Sequence, residues 1–218
     1  MDKNPNQIKK IVILFCTFIV PLLFFLFLAS GKVNFNKLPV ITENVSNLKG
    51  AIPFRNKVTV LSILGTEANV RTHQNILNLY QVIYKSTEKY KNFQVVTIAP
   101  DDSNSNTIQE LQAELVKVGG VDLPKWKFIS LSEESIQELV TSFGIPAVQY
   151  DIKNGIDKVF IIDEEMCLRG RTDDEDSKSG ILYNYDTNSV SVLKNKLKED
   201  LQVVFYESKF AVKEPKLN

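Results

Sequence analysis

The sequence is poor in the residues that metal and redox chemistry use. Its 218 residues hold one histidine and two cysteines. A lone histidine cannot make a metal site by itself. The cysteines are Cys16, inside an apolar N-terminal segment, and Cys167, in the part that folds. They are not expected to pair, so the folded part has no intramolecular disulfide and no Cys-x-x-Cys. A dithiol cycle within one chain is thereby excluded. Net charge is absent too: Lys+Arg and Asp+Glu are 26 each. A nucleic-acid binder needs a basic excess to neutralise phosphates, so nucleic acid is not an expected partner. There is no Gly-x-x-x-x-Gly-Lys phosphate loop, no internal repeat and no long low-complexity tract.

What is present begins with an uncharged apolar run, Ile11–Ala29, interrupted only by Cys16, Thr17 and Pro21. At about 19 residues it is near the ~20 that cross a bilayer. Lys3, Lys9 and Lys10 precede it, which orients the N-terminus to the cytoplasm and exports the rest. Ala29-Ser30-Gly31 offers a competing reading as a signal-peptide cleavage site, but the run exceeds the usual h-region. The expectation is an uncleaved single-pass anchor at 11–29 behind a cytoplasmic stretch 1–10. The membrane is then one partner, and the C-terminal domain is extracytoplasmic, periplasmic in a Gram-negative cell. Cys16 reads as a small apolar filler of the span. Residues 30–56 carry scattered Asn and Pro with little periodicity and read as a linker, with a short strand around Lys37–Thr42.

The stretch Lys57–Leu64 followed by Gly65-Thr66-Glu67-Ala68-Asn69-Val70-Arg71-Thr72 organises the remainder, 57–205. It reads as a buried strand, a short loop and a helix to about Tyr90, whose apolar face is Ile76, Leu79, Tyr80 and Ile83. A loop beside a helix N-terminus favours an anion or a thiolate. Phe93–Ala99 is a second buried strand. Ile108, Leu111, Leu115 and Val118 mark a helix ended by Gly119-Gly120. Trp126–Ile129 is a short strand. Ser132 caps a helix with the stripe Ile136, Leu139, Val140 and Phe143, closed by Gly144. Lys158–Asp163 and Met166–Arg171 form a hairpin, Asp173–Ser179 an acidic loop, and Ser189–Leu201 a last helix; 206–218 reads as a tail. The fold class is α/β: a βαβ unit joined to a ββα unit around a central mixed sheet, the thioredoxin-like arrangement, with an N-terminal transmembrane helix.

Four segments resemble the Sco (SenC) family, membrane-anchored thioredoxin-fold factors for copper delivery to cytochrome oxidase. They are the strand, Gly65-Thr66 and site loop; Val96-Thr97-Ile98-Ala99-Pro100-Asp101; Trp126–Ser130 with Glu133-Glu134 and Phe143-Gly144-Ile145; and Val159–Asp163. The resemblance covers about residues 50–205. It implies Cys-x-x-x-Cys in the site loop and a histidine before the late strand, soft and imidazole ligands suited to copper. At those positions this sequence has Glu67, Arg71 and Gly155. A carboxylate is a poor soft-metal ligand and Arg is a cation, so no metal or cofactor is expected there. A second alignment reads Gly144-Ile145-Pro146-Ala147 as thioredoxin's cis-proline turn, with Val148–Ile152 as strand and Asn154-Gly155 as hairpin turn. The first is preferred because Val159–Ile162 is the better core strand.

The remaining candidates divide between bland and sharp readings. Glu67 and Arg71 are two solvated side chains, or an ion pair replacing a disulfide. His73 is a polar helix-start residue before it is a ligand. Cys167 is a small strand residue, or a thiol acting beside Met166. Asp173, Asp174, Glu175 and Asp176 are a solvated charge run that lacks the glycine and spacing of a calcium loop. Trp126 is core. The expected function is that of a membrane-anchored, extracytoplasmic binding or assembly accessory factor, for respiratory oxidase or envelope, with an unknown protein partner and no enzymatic activity. The alternative is a single-cysteine thiol-redox or copper-handling protein using Cys167.

Overall fold

Val58–Leu64 is the spine of the fold, and all seven of its residues are buried. A computed structural model describes residues 5–30, 37–67, 69–101, 105–119 and 123–211. The chain divides into two units, Met1–Asn36 and Lys37–Asn218.

In the first unit α1 occupies Pro5–Ser30, with Pro21 inside it. Its described side chains from Ile13 to Phe27 are almost all exposed. Among the described residues no helix is long and apolar enough to cross a membrane. The fold therefore places a helix where the anchor is expected and does not by itself support a transmembrane span.

The second unit runs β1 (Val40–Thr42), a 3₁₀ turn (Leu48–Gly50), β2 (Val58–Leu64) and α2 (Val70–Leu79). A π-helical turn, Tyr80–Tyr84, leads from α2 into α3 (Lys85–Thr87), then β3 (Phe93–Pro100), α4 (Ser105–Gly119), β4 (Trp126–Leu131) and α5 (Glu133–Ser142). After β5 (Gly155–Ile162), β6 (Leu168–Arg169) and β7 (Tyr185–Asp186), α6 (Val190–Val192) passes through a π-helical turn, Leu193–Leu197, into α7 (Lys198–Ala211). The sheet order is β1-β6-β5-β2-β3-β4, with β7 also on β5. β2, β3 and β4 are parallel. β5 returns antiparallel to β2, and β6 and β1 follow antiparallel. This is the mixed sheet of the βαβ-plus-ββα reading.

Alternation along the strands divides the core in two, because successive side chains face opposite ways. Val58, Val60, Val95, Val159 and Ile161 face one core with Ile76, Leu79, Leu111, Leu115, Leu197 and Leu201 from the helices. Leu61, Ile63, Val96, Ile98, Phe160 and Ile162 face the other, against Ile136, Leu139, Val140 and Phe143 of α5. Both faces of β2 and β3 are thus covered, which is why they read as continuous apolar runs, whereas β4 at the edge alternates.

Two expectations are corrected here. From Lys37 on, the presumed linker 30–56 belongs to the packed unit. Val45, Ile52 and Phe54 are at most 1% exposed and complete the second core beside α5. The buried Gln94 amide donates to Pro53 O at 2.6 Å and to Thr59 Oγ1 at 2.9 Å, which pins the segment to the sheet. The segment lacks periodicity because it packs as turns: Asn44, Leu48, Lys49 and Asn56 all have positive φ. The tail expected from 206 is, as far as Ala211, the last turns of α7. There Ser208 Oγ donates to Glu164 at 2.8 Å.

Candidate functional site

The loop after β2 sits at the C-terminal ends of the parallel strands, where the first turn of α2 begins. Asn69 caps that helix: its Oδ1 accepts from the Thr72 backbone N–H at 3.1 Å, and Thr72 Oγ1 accepts from the Asn69 N–H at 3.4 Å. The reciprocal box satisfies two of the helix's free donors internally. The loop is then sewn to the turn ahead of β5. Thr66 N–H donates to Ile152 O at 2.8 Å and Glu67 N–H to Lys153 O at 3.0 Å. Asp151 closes that turn, its carboxylate accepting from the backbone N–H groups of Lys153 and Asn154. Those bonds hold its carboxyl below the usual range.

Gly155 lies at the heart of this seam, with φ +68°. A Cβ there would point into the backbone of Leu64 and Gly65, 2.5 Å from the Leu64 carbonyl carbon. A Cβ on Gly65 would in turn stand 2.5 Å from the Gly155 nitrogen. The position where the resemblance calls for a histidine is thus a backbone-to-backbone contact.

Arg71 does not pair with Glu67 among the described residues. Its guanidinium reaches Asp157 Oδ2 at 3.0 Å and Asn188 Oδ1 at 2.9 Å. Asp157 Oδ1 accepts from the Nδ2 of Asn75 at 3.2 Å. Asn75 is buried on α2, and its own Oδ1 has no protein partner. Asn78 and Thr187 extend the network, with Asn78 Nδ2 donating to Thr187 O and Thr187 Oγ1 to Asp157 O. A shallow cleft opens here, lined by Ser62, Thr72, Asn75, Asn154, Asp157 and Thr187. Glu67 faces solvent. The second cysteine position of the resemblance is therefore filled by an exposed ion pair, the first by a solvated carboxylate.

No protein-family model matches the sequence, and no curated protein matches it. Among solved structures, BsSco, a member of the Sco family of cytochrome c oxidase assembly proteins, matches 79% of this chain and 98% of its own. The identity is 8% and the TM-score 0.50. The fold is Sco-like thioredoxin. A SCO1/SenC family lipoprotein from Bacillus anthracis str. Ames, at 14% identity and TM-score 0.48, covers 73% of this chain and 83% of its own. ScoI of Arabidopsis thaliana, with copper bound, has 18% identity and TM-score 0.43 over 70% of this chain and 88% of its own. At these identities the likeness is one of fold alone.

Elsewhere in the Sco-like domain the other candidates separate. His73 Nδ1 lies 2.7 Å from Glu114 Oε2 of α4, so it joins two helices. Cys167 is 9% exposed, in the turn between β5 and β6 after Met166, whose φ is +66°. Burial pushes its thiol up, and the Asp163 carboxylate adds to the shift. That is the opposite of an activated thiolate, so the single-thiol alternative gains nothing from the geometry. In the acidic loop Asp174 is 5% exposed rather than solvated. Lys196 Nζ sits 2.7 Å from it and 2.8 Å from Asp176, so an ammonium fills the space between these carboxylates. Among the described residues no three His, Cys, Asp or Glu side chains gather as a metal set would. Trp126 is core, its Nε1–H donating to Thr97 Oγ1 at 2.9 Å. No described peptide bond is cis, so Pro146 is trans and the cis-proline alignment has no counterpart.

Sequence reasoning missed Asp157, Asn75 and Asn188. Asn75 lies one position before the apolar Ile76 and looks like an ordinary polar neighbour. Only the return of β5 beside β2 brings Asp157 under α2.

Proposed function

We propose that this chain is a membrane-anchored, extracytoplasmic protein whose Sco-like domain acts by binding a partner, not by copper transfer or thiol exchange. The observation that carries this reading is the Gly65–Gly155 contact. At the three positions where the resemblance calls for copper ligands there are a solvated carboxylate, a guanidinium bonded to Asp157 and a glycine with no room for a side chain. A lost ligand leaves a gap, whereas this seam is closed by hydrogen bonds on both sides. The anchor reading rests on the sequence: the apolar run 11–29 and the lysines before it. The partner class is a respiratory-oxidase or envelope assembly component, by analogy with BsSco, whose family consists of cytochrome c oxidase assembly proteins. In a Gram-negative cell the domain lies in the periplasm.

The test is a Cu(I) competition titration of the full chain in detergent, against a chromophoric chelator, with Cys167→Ser alongside. Both proteins should leave the chelator's copper untouched. Stoichiometric binding lost in the Ser variant would restore the single-thiol reading. For the partner, a photo-crosslinker replaces Val70, which is 87% exposed beside Arg71. An adduct with an oxidase or envelope-assembly protein is expected in native membranes. A pattern identical to that from a probe at Lys194 would refute docking at the site loop.

A further inference from the structure

The sheet has two edges, and they differ. β1 is three residues long, and its register against β6 shifts between Val40 and Thr42. A short, irregular edge gives an incoming strand little to hold. β4, at the other edge, is six residues long. Its parallel register with β3 runs unbroken from Val95↔Trp126 to Pro100↔Leu131. It has no proline, and its one charged residue is Lys127. Of the devices that blunt a strand edge, that lysine is the only one it carries.

The register decides which backbone groups face outward. Val95 N–H donates to Lys125 O at 2.8 Å, and Asp101 N–H to Leu131 O at 2.9 Å. In a parallel ladder alternate residues serve the same neighbour. Lys127 and Ile129 therefore also turn their N–H and C=O groups toward β3, whereas Phe128 and Ser130 turn theirs away. The Trp126 N–H is taken locally by Leu123 O at 3.0 Å. Among the described residues no strand and no isolated bridge pairs with this outer side. Lys127 and Ser130 are exposed, and Phe128, Ile129 and Leu131 are half-buried.

Charge along the segment runs one way. Lys127 lies near its start, and Glu133 and Glu134 lie just past its end. All three are exposed, and none takes part in an ion pair among the described residues. Such a strand complements its own sequence only when the second copy runs antiparallel. Hydrogen-bonding Phe128 to Ser130 of the second copy puts the two-fold axis at Ile129. Lys127 then lies opposite Leu131 of the second copy and diagonal to its Glu133, a spacing of ~7–8 Å that long side chains span. The two Ile129 side chains meet as a non-hydrogen-bonded pair, where opposed residues stand closest. Centring the pair on Phe128 instead would set the two Lys127 side chains diagonally across from one another. A parallel copy would lay lysine along lysine.

We infer that the outer edge of β4 is an interface for a second copy of this chain, paired antiparallel about Ile129 into one continuous sheet. Backbone bonds from Phe128 and Ser130 supply the attachment, and the Lys127-to-Glu133 polarity supplies direction and register. The inference depends neither on the anchor nor on what the site loop binds.

The experiment uses the full chain in detergent, with Cys16→Ser to remove its exposed thiol. Into this background go Ile129→Cys, Lys127→Cys and Ser130→Cys, each oxidised with diamide and read by non-reducing electrophoresis. Only residue 129 faces its own counterpart, at a separation a disulfide can bridge. Ile129→Cys should give roughly fivefold or more covalent dimer than either neighbour. Detergent-matched sedimentation of the unaltered chain should give the mass of two chains. Ser130→Pro removes one outward N–H from each copy and leaves the bonds to β3 in place. It should raise the dissociation constant roughly tenfold or more, with the urea midpoint of the domain retained. Lys127→Glu should weaken the dimer, and Lys127→Glu/Glu133→Lys should restore it. Equal cross-linking at the three positions overturns the pairing. So does a dimer indifferent to Ser130→Pro, which would be held together elsewhere, α1 included. A single-chain mass overturns it too, including the case where this edge takes an extended segment of another protein.

Discussion

Gly65 and Gly155 meet backbone to backbone, and neither position has room for a Cβ. Gly155→Ala should therefore cost about 2–4 kcal/mol, through clash and through its φ of +68°. Gly155→His, combined with Glu67→Cys and Arg71→Cys to rebuild a copper site, should unfold more readily and bind no copper at the loop. Urea midpoints and a Cu(I) titration check both. Wild-type stability for Gly155→His would show that the seam yields.

Arg71 and Asp157 test how much the site's ion pair matters. The pair is exposed, with side chains 61% and 41% accessible, so its coupling in a double-mutant cycle should be under about 1 kcal/mol. Asp157→Ala should cost more than Arg71→Ala, about 1–3 kcal/mol, because it strips the buried Asn75 amide of its acceptor. Equal costs would mean that the carboxylate serves Arg71 alone.

For Cys167 the expected behaviour is that of a protected thiol. Burial and Asp163 both push it up. Alkylation by iodoacetamide near neutral pH should run roughly tenfold or more slower than in the urea-unfolded chain. Reaction at the unfolded rate would reopen the thiol chemistry that the fold argues against.

The Asp174–Lys196 pair sets a pH dependence. Burial pushes the Asp174 carboxyl up, but hydrogen bonds and charge from Lys196 outweigh it and leave the group below its ordinary value. Such a group stabilises fully above the unfolded carboxylate value of about 3.9, and its contribution drains as pH falls through the lower folded value. Burial likewise lowers Lys196, and its two carboxylate partners more than restore it. Its contribution is full below about 10.4 and is lost above that. Asp174→Asn should thus cost about 1–3 kcal/mol between about pH 5 and 9, with the gap from wild type closing below about pH 4. Denaturant midpoints across pH read this directly. A gap that persists in acid would assign the cost to packing.

Arg169 is 7% exposed and bonded to Asp163, Glu207 and the Leu38 carbonyl. Arg169→Met should cost about 3–5 kcal/mol by leaving two carboxylates without their cation. Restoring neutrality with Asp163→Asn and Glu207→Gln should recover part of it. No recovery would point to shape, not charge.

The strands and most helices were legible because their signals are local. Val58–Leu64 and Phe93–Ala99 are β-branched runs of strand length, and Ser132 announces its helix. The last helix is read only to Leu201, whereas Val204 and Phe205 continue its stripe as buried residues and the helix runs on to Ala211. Residues 37–56 were not legible, since turns with positive φ carry no period to read. At the site, counting placed Glu67, Arg71 and Gly155, but the identity of Arg71's partner depended on the return of β5. Asp157 and Asn75 are 82 residues apart in sequence. No local pattern announces such a pair.

Leu38 N–H donates to Glu207 Oε1 at 2.7 Å, and Arg169 holds both the Leu38 carbonyl and the same carboxylate. The beginning and the close of the domain are thus buckled together by one guanidinium. Trimming the C-terminal helix at 206 would loosen the first strand as well. The same adjacency makes the domain a natural candidate for circular permutation, with a short bridge from 211 to 37 and fresh termini opened in a distant surface turn.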